Sequence, residues 1–166
     1  MAAPITYRLM EPGEEARVSD LTTRVFNEFV APDYSAEGVR EFLRYVHPDL
    51  MAQRSQANHF VLLALAGADL AGIIELRDWG HISLLFVDRI YLRQGIARAL
   101  LQRALEICRS RRPGLAEITV NSSPYAVPIY MRLGFEPVAA EQIRKGIRFV
   151  SMRLTLSLRT SETPGS

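Results

Sequence analysis

The stretch from His81 to Val120 constrains this chain more than any other. His81 to Val87 (HISLLFV) is an apolar run of strand length. From about Gly95, apolar residues recur at helical spacing: Ile96, Leu100, Leu101, Ala104, Leu105 and Cys108, ending at Pro113-Gly114. Leu115 to Val120 returns to a strand pattern. A strand, a helical crossover and a second strand close well only as parallel neighbours with the helix on one face.

The remaining elements build around that unit. Ile5 to Met10 alternates like a first strand, and Glu11-Pro12-Gly13 ends it. Between Glu14 and Val30 the residues Val18, Leu21, Val25 and Phe29 form one helix face. Ser35 is placed to cap a second helix with Val39, Phe42, Leu43 and Val46 inward and Pro48 closing it. His59 to Ala66 and Leu70 to Leu76 read as an antiparallel hairpin turning at Gly67-Ala68-Asp69. Tyr125 to Leu133 is a short helix stopped by Gly134, and Phe149 to Leu158 a last strand. The expected fold is α/β (α+β): one domain over residues 1–158 with a mixed sheet, and a polar, disordered tail at 159–166.

Composition narrows the function. At 166 residues and 48% hydrophobic, the chain can bury a substantial core, and its lone Cys108 excludes an intrachain disulfide and fits a reducing, cytoplasmic setting. The N-terminus carries no signal-peptide pattern. The most apolar run, Val61 to Ile74, is broken by Asp69 and two glycines, so no membrane association is expected. His47, His59 and His81 lack metal-ligand spacing, so no metal is expected. The only lysine, Lys145, belongs to no phosphate loop of the GKS or GKT kind. Residues 1–83 carry a net charge of −5 and residues 84–166 one of +7, which suits an anionic ligand in the second half and a cationic one in the first. Glu28, Asp33, Glu37 and Glu41 make a small cationic acceptor the expectation. The arginines between 93 and 112 spread around their helix without interleaved aromatics, which argues against nucleic acid.

The start of the long helix is where an anion would sit. Its first turn has unpaired N–H groups and the positive end of the helix dipole, and Gly95 and Ala97 allow close approach to the main chain. Arg93 and Arg98 add positive charge.

Leu92-Arg93-Gln94-Gly95-Ile96-Ala97, followed by Leu100-Leu101, resembles the acyl-CoA loop of the GNAT superfamily of N-acetyltransferases, Gln/Arg-x-x-Gly-x-Gly/Ala. It departs from the pattern at Leu92. Downstream, Ala126, Tyr130, Gly134 and Phe135 match the family's second motif, with Ser123 where Asn is usual. The resemblance covers about residues 84–137. It implies a sheet with a splayed parallel central strand pair flanked by helices, and acetyl-CoA as co-substrate. Main-chain groups of Phe86 and Val87 would pair with the pantetheine arm, and those from Arg93 through Gln94, Gly95, Ile96 and Ala97 to Arg98 would cradle the pyrophosphate. Ser123 joins this set by its place in the motif. Tyr130 would be the general acid that protonates the departing thiolate, in a direct transfer to a primary amine, and a homodimer is common in the superfamily.

A proton acceptor is harder to read. Glu75, Asp78 and His81 flank one turn, and Glu75 interrupts an apolar run, so it faces either the cleft or solvent from an edge strand. Asn121, ending a splayed strand, is a candidate contact to the acceptor or to a catalytic water. Cys108 falls on the buried helix face, against a covalent route. A non-catalytic acyl-CoA sensor on the same fold is the competing reading.

Overall fold

The computed structural model describes residues 3–157; the expected tail lies outside the described residues. The elements run β1 (Ile5–Leu9), α1 (Glu15–Val25), α2 (Ala36–Tyr45), α3 (Pro48–Arg54), β2 (His59–Ala66), β3 (Asp69–Arg77), β4 (His81–Val87), α4 (Ile96–Arg111), β5 (Glu117–Ser122), α5 (Val127–Arg132), β6 (Glu136–Pro137), β7 (Gln142–Arg144) and β8 (Ile147–Thr155). The strands lie in the order β1-β2-β3-β4-β5-β8-β6, with β7 forming a hairpin with β8. Every described pairing is antiparallel except β4 with β5, the parallel pair expected of the crossover.

The sheet separates two apolar layers because alternate strand residues face opposite sides. Ile74, Leu76, Ile82, Ile118 and Val120 pack against Leu100, Leu101, Ala104 and Cys108 of α4. Leu63, Ile73 and Leu84 pack on the other face against Val18 and Leu21 of α1 and Met51 of α3.

Three local readings need correction. Leu43, expected on the inward face of α2, is exposed. Pro48 does not end helical structure: it occupies the first turn of α3, where its missing N–H is no loss, and His47 caps that helix by accepting from the Asp49 amide at 3.2 Å. The helix after Glu14 also changes pitch, and Phe26–Val30 is a π-helical turn. The wider turn puts Phe26 into the core, stacked on Phe42 at 3.8 Å between ring centres, and Phe29 onto the wall of a cavity. Ser35 caps α2 as expected, accepting from the Gly38 amide at 3.2 Å. Strands β6 and β7 were not foreseen: one is two residues long and the other three, too short for periodicity to register.

Candidate active site

Pairing between β4 and β5 stops after two positions, His81 with Thr119 and Ile82 with Val120. Beyond Ile82, β4 keeps its β3 partner, through Phe86 opposite Ile73 and Val87 opposite Gly72, but has none on the β5 side. The register with β3 also slips between Leu84 and Ile82, which leaves Ser83 as an extra residue, a β-bulge. Bulges bend a strand and increase its twist, so β4 turns away from β5 just where the pairing ends. The wedge so formed is a cavity of about 480 Å³.

The cavity has two differently lined halves. Toward the C-terminal ends of the parallel pair it is walled by Phe86, Val87, Leu92, Ala97, Ser123 and Tyr130. On the α2 side, Phe29, Tyr34, Phe42, Tyr45 and Tyr125 supply aromatic walls. Polar groups there are few: Glu41, Arg77, His81, Ser83, Asn121 and Arg144.

Helix α4 begins as the anion reading requires. Gly95 is its N-cap at φ 74°, with no side-chain cap, and the first helical hydrogen bond is from the Ala99 amide to the Gly95 carbonyl at 3.0 Å. The amides of Ile96, Ala97 and Arg98 are therefore left without helical partners. A Cβ at Gly95 would meet nothing within 4 Å, so glycine is demanded by the left-handed backbone and not by crowding. Arg93 shares that backbone region at φ 64°. The Ile96 side chain is buried in the core, which leaves only its amide to face a ligand. Arg98 reaches sideways, donating to the Arg132 carbonyl at 3.0 Å and tying α4 to α5. Of residues 93–98, Ala97 alone lines the cavity; Arg93, Gln94 and Gly95 are exposed in the loop beside it.

Tyr130 is buried, lines the cavity and packs edge-on against Phe135 at 5.3 Å. Burial raises its hydroxyl well above the ordinary tyrosine range, so the phenol is protonated at neutral pH. Ser123 accepts from the Ala126 amide at 3.3 Å and so shapes the turn into α5. Asn121 is exposed on the cavity wall, where its Oδ1 accepts from the Ser151 hydroxyl at 3.0 Å.

Glu75 occupies neither place the sequence suggested. Strand β3 is internal to the sheet, and the carboxylate is fully buried beneath α2 and α3. Arg54 Nε donates to its two oxygens at 3.0 and 3.1 Å, and the Tyr45 hydroxyl donates to Oε1 at 2.8 Å. Tyr45, not Glu75, lines the cavity, and burial pushes its phenol up to about 12. Ser83 Oγ stands beside that phenol, buried, without a hydrogen bond of good geometry. His81 Nδ1 is 2.7 Å from Thr119 Oγ1, and burial, assisted by Arg77, lowers the imidazole to about 4, so it is neutral at pH 7. Asp78 sits exposed in the β3–β4 turn at φ 52° and does not line the cavity.

The four acids of the first helices do not converge. Glu41 alone lines the cavity, while Glu28 is 2.7 Å from Arg89 on the surface. Tyr45, Ser83, Arg77 and Arg144 were not foreseen. Tyr45 lies three residues after Phe42 on α2, a spacing that could have found it; Arg144, from the hairpin, left no local signal. Cys108 is fully buried inside α4, with its thiol pushed up to about 11 by burial.

A mixed sheet whose parallel central pair splays over an uncapped helix start defines a class of protein, the GNAT acetyltransferases. The acetyltransferase (GNAT) domain family matches residues 30–156, and the chain belongs to that family as an N-acetyltransferase. It is 26% identical over 139 residues to the uncharacterised N-acetyltransferase YafP of Escherichia coli (strain K12), covering 84% of this chain and 86% of that protein. Its fold is similar to that of a GCN5-related N-acetyltransferase from Rhodopseudomonas palustris, with a TM-score of 0.79 at 19% identity over 94% of this chain and 98% of the other. It also resembles the PaiA N-acetyltransferase of Thermoplasma acidophilum, solved in complex with coenzyme A, with a TM-score of 0.73 at 20% identity over 92% and 99%. No helix among the described residues is long and apolar enough to cross a membrane.

Proposed function

We propose that the protein transfers the acetyl group of acetyl-CoA to a primary amine by direct attack. The observation that carries this reading is the open edge of β4 beyond Ile82, which shares one cavity with Ala97 of the α4 start and with Tyr130. The residues fit the co-substrate in kind. The Asp88 amide bonds the Ala71 carbonyl of β3, so by strand alternation Phe86 spends its main-chain groups on Ile73 and is not free as expected. Those of Val87 face the open side and can hold a pantetheine amide as an added strand would. The loop from Arg93 through Gln94 to Gly95 and the amides of Ile96, Ala97 and Arg98 can hold a pyrophosphate, and Ser123 lies on the same side of the cavity. Leu92 lines the cavity with an apolar side chain, so phosphate binding at this point falls to the main chain.

In the chemical step, the Val87 N–H, on the side of β4 without a strand partner, stabilises negative charge developing on the thioester oxygen. Tyr130 gives its proton to the leaving sulfur, which suits a phenol kept protonated by burial. Asn121 orients the amine or a water from the opposite strand. Glu75 is separated from the cavity by Tyr45, so any proton it takes must pass through the phenol, which accepts one and hands its own to Oε1. The buried Cys108 has no place in this route.

The test is acetyl-CoA-induced thermal stabilisation, followed by CoA release across a panel of amines. A ligand at a hundred times its Kd should add about 2.7 kcal/mol of stability. Binding without consumption of any amine would return the protein to the sensor reading, and no binding would end both.

A further inference from the structure

The acceptor half of the cavity is bordered by a backbone contact that only glycines permit. A Cβ on Gly38 of α2 would lie 2.2 Å from the Gly146 carbonyl oxygen, and one on Gly146 would lie 2.3 Å from Ser35 Oγ. Gly146, at φ 77°, turns the β7–β8 hairpin so that it rests on the start of α2. Ser35 Oγ donates to the Gly146 carbonyl at 3.4 Å, and Arg148 ties the same hairpin to the Asp33 carbonyl at 3.3 Å. Glu41 and Phe42 from one side of this clasp, and Arg144 and Ile147 from the other, line the same cavity. The clasp borders one side of the cavity, which elsewhere opens to solvent past the exposed Arg77, Asn121, Tyr125 and Arg144.

Its charge is the reverse of what the acidic N-terminal half suggested. Arg77 and Arg144 are both exposed at the cavity wall, and neither is within ion-pair distance of a carboxylate among the described residues. The one carboxylate on the wall is Glu41, since Glu75 is sealed behind Tyr45 and His81 is neutral at pH 7. The wall therefore carries a net positive charge. Between these groups lie the aromatic faces of Phe29, Phe42 and Tyr125. A polycation would meet two guanidinium groups against the single carboxylate of Glu41. A carboxylate would find one or two guanidinium groups whose donors are uncommitted to any acid.

We propose that the acceptor is a small primary amine that carries a carboxylate on an apolar or aromatic body, with Arg77 and Arg144 taking the carboxylate and the aromatic walls taking the body. This rests on the acetyl-transfer reading and names the substrate class for the same site.

The test measures CoA release for matched pairs that differ only in the carboxylate: L-phenylalanine against phenethylamine, and 4-(aminomethyl)benzoate against benzylamine. Spermidine and a short peptide with a free N-terminus complete the panel. The expected result is a kcat/KM at least ~10-fold higher for the carboxylate-bearing member of one pair or both, the scale of one charge-assisted contact. Arg77→Gln with Arg144→Gln should bring that ratio close to one while the acetyl-CoA-induced rise in Tm stays unchanged, a readout that also shows the variant is folded. Equal or reversed preference in both pairs, a preference for spermidine or the peptide, or no turnover of any amine by a protein that binds acetyl-CoA would each overturn the proposal. Absence of an acetyl-CoA-induced Tm rise in the native protein would instead overturn the acetyl-transfer reading beneath it.

Discussion

At the scale of single residues, each candidate side chain gets its behaviour from burial and from what it touches. Tyr130 has a phenol that burial keeps protonated, so Tyr130→Phe should remove a proton donor and little else. Its kcat should fall by about 10²-fold or less, since a thiolate is a fair leaving group, and the acetyl-CoA-induced Tm rise should persist. Unchanged turnover would leave Tyr130 as a packing residue. Glu75 is a different case. It neutralises Arg54 in the interior, and one Arg54 nitrogen, Nη2, is already buried without a partner. Glu75→Gln should therefore destabilise the fold by ~3–5 kcal/mol in urea unfolding, because it strands a buried guanidinium. Tyr45→Phe separates catalysis from stability: it keeps the ring under Arg54, 3.9 Å from the guanidinium carbon, and removes only the hydroxyl between cavity and carboxylate. His81 adds a pH dependence of known sign. Burial lowers its imidazole in the folded chain to about 4, below the ordinary 6.5 of a free one, so between these the unfolded chain binds the proton and the folded chain does not. Stability should fall as pH drops from about 6.5 to about 4, and His81→Asn should flatten that slope in denaturant titrations.

At the scale of elements, the informative features are a helix start, a bulge and a π-helical turn. Gly95 combines a left-handed backbone with open space, so its substitutions separate strain from electrostatics. Gly95→Ala should cost ~1–2 kcal/mol in stability and keep acetyl-CoA binding, whereas Gly95→Asp should lose the ligand-induced Tm rise as well. Equal Tm shifts in both variants would move the phosphate site away from this loop. The Ser83 bulge and the two-position β4–β5 ladder open the cavity together, one bending the strand where the other ends. The π-helical turn then delivers Phe29 to the cavity and Phe26 to the core.

At the scale of the whole molecule, the sheet keeps two apolar layers apart, and the cavity opens where its parallel pair separates. The clasp between α2 and the β7–β8 hairpin joins the first third of the chain to the last. Gly38→Ala forces these backbones apart. It should raise KM for the amine several-fold and leave the Tm rise with acetyl-CoA in place, since that site lies on the other half of the cavity. A change confined to acetyl-CoA binding would show that the clasp supports the wrong half.

What the sequence determined by itself is what local pattern and chain connectivity control. The strand–helix–strand crossover required β4 and β5 to be parallel, the apolar spacing of α4 placed Cys108 inside, and Ser35 marked the start of α2. The glycine loop and the segment ending at Phe135 carried the family resemblance, because main-chain anion binding needs particular residues at consecutive positions. What only the tertiary structure decided depends on residues far apart in the chain. Glu75 became a buried ion-pair partner because Arg54, on a helix opened by Pro48, lies over the same face of the sheet. The acidic residues of the first helices scattered because a helix points successive side chains around its axis, and only Glu41 faces inward. The arginines on the cavity wall come from β3 and β7, and no short-range pattern links two strands whose proximity is made by packing.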